Sequence, residues 1–112
     1  MGIELDATTR AQEFRKNNGI VMRRVNILRT DYAPVHDVIL SIQEKSPTIT
    51  EGQLRDSFNF LLRAEYLEMQ YIRTKEPIAR IAGVNLHELE ATLTLKGIRL
   101  MSGSITDADV TV

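Results

Sequence analysis

The stretch TITEGQLRDSFNFLLRAEYLEMQYI, residues 48–72, followed by LEATLTLKGIRL, residues 89–100, decides the fold. Thr50 and Gln53 stand at capping-box spacing: the threonine side chain caps a backbone N–H of the first helical turn and the glutamine reaches back. Leu54, Phe58, Leu61 and Leu62 then recur at helical spacing, which predicts a helix over 51–64. After Ala64 the period changes to two. Leu67, Met69 and Tyr71 alternate with Glu68, Gln70 and Ile72, which predicts a strand. Leu89, Ala91, Leu93 and Leu95 alternate with Glu90, Thr92 and Thr94 in a second strand. A short closing helix is expected from Thr94 or Leu95. Between the strands, RTKEP reads as a polar exit. Residues 78–88 fit an extended strand, a turn at Gly83 or an irregular hairpin tip.

Upstream, Ile20, Val21, Val25 and Leu28 predict an amphipathic helix over 20–30. Val35, Val38, Ile39 and Ile42 predict another over 34–45, stopped by Ser46 and Pro47. Residues 31–34 read as a break, because Pro34 suits a first helical turn and disfavours helix before it. Residues 1–9 read as a loose arm. Asp6, Thr8 or Thr9 can cap a short helix that Asn17, Asn18 and Gly19 bring to a stop. The chain therefore divides into an arm with a short helix (1–18), a domain (19–104) and a tail or extra strand (105–112). The expected class is α+β, a three-helix core with a C-terminal two-stranded hairpin and a short closing helix. A three-helix core this small is marginal, and so is a lone hairpin. Packing one on the other relieves both.

The chain has 112 residues, 43% of them hydrophobic and 26% charged, which fits one globular domain. With no cysteine, disulfides and thiolate metal sites are excluded. No run of about 18 apolar residues and no leader pattern occur, so the expected compartment is the cytoplasm, with no membrane partner. Net charge is −1, but it is uneven. Arg10, Arg15, Lys16, Arg23, Arg24 and Arg29 face only Glu13 between residues 10 and 29, a local +5 that leaves −6 elsewhere. Such a dipole permits an anionic partner on one side.

The phrases LLRAEYLE (61–68) and ATLTLKGIRLM (91–101), in this order, resemble the winged helix-turn-helix family of small bacterial and phage type. The matched span is residues 19–102, with helices over 20–30, 34–45 and 51–64 and a hairpin wing. The resemblance implies a DNA-binding transcriptional regulator with its third helix in the major groove and its wing on phosphates. On the third helix it points to Thr50 at the N-terminus, Gln53 and Asn59 toward adenine edges, and Arg55 and Arg63 toward guanine or phosphate. On the wing it points to Arg73, Lys75 and Arg80. Two features depart from the family pattern. Residues 48–112 carry seven basic and nine acidic residues, and Phe60 stands on the reading face beside Asp56. The alternative is a winged-helix protein–protein adaptor, for example a phage accessory protein, without DNA binding.

Chemistry has little to stand on. His36 and His87 have no second ligand at the i, i+4 spacing of helical metal pairs, so both are expected to face solvent. No phosphate-binding glycine loop or nucleophile elbow occurs, and Glu88/Glu90 or Asp107/Asp109 are ordinary solubilising pairs. No enzyme, cofactor or metal is expected. The apolar stripe Ile20, Val21, Met22, Val25, Leu28, with Phe14 before it, exceeds what a small core needs. A homodimer through residues 11–30 follows as an expectation.

Overall fold

The structure, a computed structural model, describes residues 7–112. The cap candidate Asp6 and the expected arm up to residue 6 lie outside the described residues. Seven elements follow in order: α1 (Ala7–Leu28), β1 (Ala33–Pro34), α2 (Val35–Lys45), α3 (Glu51–Arg63), β2 (Leu67–Tyr71), β3 (Leu89–Leu93) and α4 (Leu95–Ser102). A single 3-10 turn, Leu86–Glu88, leads into β3. The class is mixed α+β, as the periodicities require.

The segment that decides the fold behaves as its sequence says. Thr50 accepts from the Gln53 amide at 3.1 Å and Gln53 Oε1 accepts from the Thr50 amide at 2.9 Å, a complete capping box. Leu54, Phe58, Leu61 and Leu62 are buried. At the other end, Tyr66 N–H donates to the Leu61 carbonyl and Glu65 N–H to the Leu62 carbonyl. With Glu65 at φ +66°, this is a Schellman stop in which glutamate holds the left-handed position that glycine usually takes.

The sheet is three-stranded and antiparallel, in the order β1-β3-β2. Leu67 pairs with Leu93, Met69 with Ala91 and Tyr71 with Leu89, so these six share the face turned to the helices. The sequence leaves β1 unseen, since Ala33 and Pro34 are too few to show a period. They pair with Ala91 and Glu90 and cover the free edge of β3. With neighbours on both sides, every residue of β3 is buried, Glu90 and Thr92 included. RTKEP is a tight turn, not an exit. Tyr71 N–H donates to the Glu76 carbonyl and Ile78 N–H to the Met69 carbonyl, so the chain folds back along the outer edge of β2.

Two expectations about the termini are corrected. Asn17, Asn18 and Gly19 do not stop a helix; α1 runs through them for 22 residues, and all three are buried. Residues 105–112 are not a free tail. They run back along α1 as a strap. Val110 is buried, Asn18 Nδ2 donates to the Asp109 carbonyl at 2.8 Å, and Thr111 N–H donates to the Arg15 carbonyl at 3.1 Å. The reason is tertiary: these groups find partners some 90 residues away in sequence, which no local propensity anticipates.

Tyr66 ties the strap to the corner between α3 and β2 by donating its hydroxyl to Asp107 Oδ2. Burial pushes the Tyr66 hydroxyl up to about 12, with the Asp107 bond and the Asp107 and Asp109 charges adding to it. A pKa raised on folding stabilises the fold below the unfolded value of 10.0, and that part is lost as pH rises toward about 12. Tyr66→Phe should therefore lose about 1.5–3 kcal/mol at pH 8, the value of a hydrogen bond to a carboxylate. It should also show a shallower alkaline fall than the parent. Urea midpoints at pH 8 and pH 11 read both, and equal alkaline slopes would contradict it.

Candidate nucleic-acid interface

The eight residues expected to face DNA fall into two groups. Five already have partners within the chain. Thr50 and Gln53 cap α3 through each other. Arg55 Nη2 donates to two loop carbonyls, Ile81 at 2.9 Å and Val84 at 2.7 Å. Asn59 Oδ1 accepts from the Ile81 amide at 3.5 Å, a long contact on the same loop. Lys75 Nζ lies 2.8 Å from Glu90 Oε2. Arg63, Arg73 and Arg80 form the other group. They are exposed and make no hydrogen bond or ion pair among the described residues.

The outward side of α3 is a narrow strip between two walls. One wall is the loop carrying Ile81 and Ala82, which borders a cleft with Arg55, Asp56 and Asn59. The other is the first half of α1. Phe14 meets Phe60 edge-on, ring centroids 5.2 Å apart, over a cleft with Asp56, Asn59 and Arg63. Phe60 is thus half-buried within the chain and is not a free aromatic on a reading face. The loop fold-back and the long α1 both come from the tertiary contacts described above, so the sequence could not show the walls.

The charge is mixed at two of the three free arginines. Arg63 shares one cleft with Asp56 and another with Glu65 and Glu68. Arg73 shares a cleft with Glu76 and Glu88. On the outer face of the sheet, Glu90 Oε2 accepts from Gln70 Nε2 at 2.6 Å as well as from Lys75. Burial pushes the Glu90 carboxyl up, but the bonds from Lys75 and Gln70 and the lysine charge outweigh it and hold the carboxyl below its ordinary value. This cluster was legible in principle: pairing Leu67 with Leu93 sets Gln70 opposite Glu90.

His36 and His87 come together, against expectation. Their ring centroids are 4.0 Å apart and the planes tilt by 39°. His87 is exposed, but His36 is half-buried and its Nδ1 is buried without a partner among the described residues. They join the start of α2 to the 3-10 turn. Among the described residues no group of three or more His, Cys, Asp or Glu is placed to hold a metal ion. No described helix is long and apolar enough to cross a membrane.

Comparison of the chain with family models, curated proteins and solved structures gives no match.

Proposed function

We propose that the chain is a winged-helix domain that works as a non-catalytic protein-interaction module and does not read base sequence through α3. The fold reading is supported by the element order: helix, short edge strand, two helices, hairpin, closing helix, with β1 paired to β3. The functional reading is carried by one observation. Of the five basic residues expected to make a positive face, Arg55 is bonded to loop carbonyls, Lys75 is paired with Glu90, and Arg63 sits among Asp56, Glu65 and Glu68. Phosphate neutralisation supplies most of the non-specific grip on a duplex. Base reading needs free bidentate groups on the inserted helix. Here Gln53 and Asn59 both hold bonds within the chain.

A second reading, the DNA-binding regulator, is favoured by the freedom of Arg63, Arg73 and Arg80. The proposed homodimer through residues 11–30 rests on less than the sequence offered. Val21, Met22 and Val25 are buried in the core and Ile20 packs on it, leaving Ile27, 67% exposed, and Leu28. One set of samples tests these readings. Fluorescence anisotropy with random duplex DNA at low salt should show no binding at tens of micromolar protein. A dissociation constant of about 10⁻⁴ to 10⁻⁶ M, weakened by Arg63→Gln with Arg73→Gln and Arg80→Gln, would replace the module by the regulator. Light scattering that finds a strict monomer removes the homodimer.

A further inference from the structure

Asn17, Asn18 and Gly19 are poor helix formers, each roughly 0.5–1 kcal/mol below alanine. Three in a row inside a 22-residue helix is a conflict between local preference and global fold. The strap lies across that point. It bonds on both sides: Thr111 N–H reaches the Arg15 carbonyl before it, and Arg23 Nη1, after it, reaches the Thr111 carbonyl, each at 3.1 Å. At the point itself, Asn18 Nδ2 donates to the Asp109 carbonyl. Gly19 is required for the approach, because a Cβ there would stand 1.7 Å from the Thr111 carbonyl oxygen. The strap is also anchored away from α1 by Asp107 on Tyr66, and its Val110 is buried. Beyond the weak point lies the half of α1 that brings Phe14 onto Phe60 and walls the outward side of α3.

We propose that residues 105–112 are a splint: their docking keeps α1 straight across Asn17, Asn18 and Gly19, and so decides whether the first half of α1 covers α3. With the strap docked, α1 is one rod and Phe14 lies on Phe60. With the strap released, buried Asn18 loses its acceptor, the weak point becomes a hinge, and the aromatic wall leaves α3 open. The strap and the α3 surface are then two positions of one equilibrium, so a partner that prefers either position shifts the other. This holds whichever partner α3 meets.

Amide hydrogen exchange on two full-length variants tests it. Asp107→Ala with Val110→Ser loosens the strap and leaves α1 unaltered. Amides of residues 11–17 should then exchange about tenfold faster or more, while those of β3 keep their rates. Gly19→Ala evicts the strap by the Thr111 clash while Asn17 and Asn18 remain, so it restores only about 1 kcal/mol of helix preference. The Thr111 amide should lose protection and amides of residues 11–17 should accelerate, though less than in the first variant. Unchanged rates at 11–17 in the first variant overturn the splint. So does equal acceleration in β3, which would make the strap a support of the whole fold. Unchanged rates at 11–17 in Gly19→Ala, with Thr111 deprotected, overturn it as well.

Discussion

Gly97→Ala should destabilise the protein by about 3 kcal/mol, the upper part of the range for forcing extra volume into a packed site. Helix propensity alone predicts the reverse, since alanine in place of glycine favours a helix by about 1 kcal/mol. The decisive fact is a close approach. A Cβ on Gly97 would stand 2.2 Å from the Tyr66 carbonyl oxygen, 3.1 Å from its carbon and 3.4 Å from Met22 Cε. The first two are backbone atoms and cannot swing aside. That carbonyl already accepts from Thr94 N–H at 3.1 Å. Around it, Thr94 Oγ1 donates to the Glu65 carbonyl, and Lys96 Nζ donates to the Ala64 carbonyl at 3.0 Å while lying over the Tyr66 ring. The start of α4 is thus clamped onto the corner between α3 and β2, with no room for a methyl group. Gly52→Ala is the control. Only Thr50 Oγ1, at 3.8 Å, lies near its Cβ position, so the substitution should be neutral or stabilising by up to about 1 kcal/mol. Urea denaturation of both variants gives the signs. A Gly97→Ala protein as stable as its parent would mean that α4 is not held against Tyr66 as described.

Gly97 also marks the limit of what the sequence shows. The closing helix was legible because Thr94 caps it and Leu95, Ile98 and Leu100 follow, all within one short phrase. The role of its glycine was not, because the neighbour that demands it lies 31 positions away at Tyr66. The same division holds elsewhere. The capping box of α3, the two long strands and the stop at Ser46 are signals between residues a few places apart, and they appear where expected. The two-residue β1 and the unbroken α1 each depend on a partner far along the chain, and the fold-back at Glu76–Ile78 on pairing with Met69 and Tyr71 across an irregular turn. In α1, the strap overrides three residues whose own preference is to end a helix.

The candidate site failed to be legible for a related reason. Gln53, Arg55, Asn59 and Lys75 were chosen for the groups they carry, and those groups are as suited to main-chain carbonyls and caps as to base edges. Their positions on the helix and turn were right. What could not be read was that a loop 22 to 29 residues later would supply the partners for Arg55 and Asn59.

Arg55 makes that point testable. Arg55→Met, which keeps the stem and removes the guanidinium, should destabilise the protein by about 2 kcal/mol. Hydrogen bonds from a charged donor contribute about 1.5–3 kcal/mol each, and two are lost, but Arg55 is only half-buried and water can replace part of them. The loss should be local. The loop from Pro77 to Asn85 has little else to hold it to α3 besides buried Ile81 and the long Asn59 contact. Exchange and proteolysis should therefore accelerate first near Ala82 and Gly83, both exposed. Arg63→Met, on the same helix with no partner among the described residues, should shift stability by no more than about 0.5 kcal/mol. The pair separates two roles that one binding assay would confuse. If Arg55 grips DNA, its loss should weaken binding and leave urea stability unchanged. If it clips the loop, stability falls whether or not DNA is present, and Arg63 becomes the arginine on α3 that remains free for a partner.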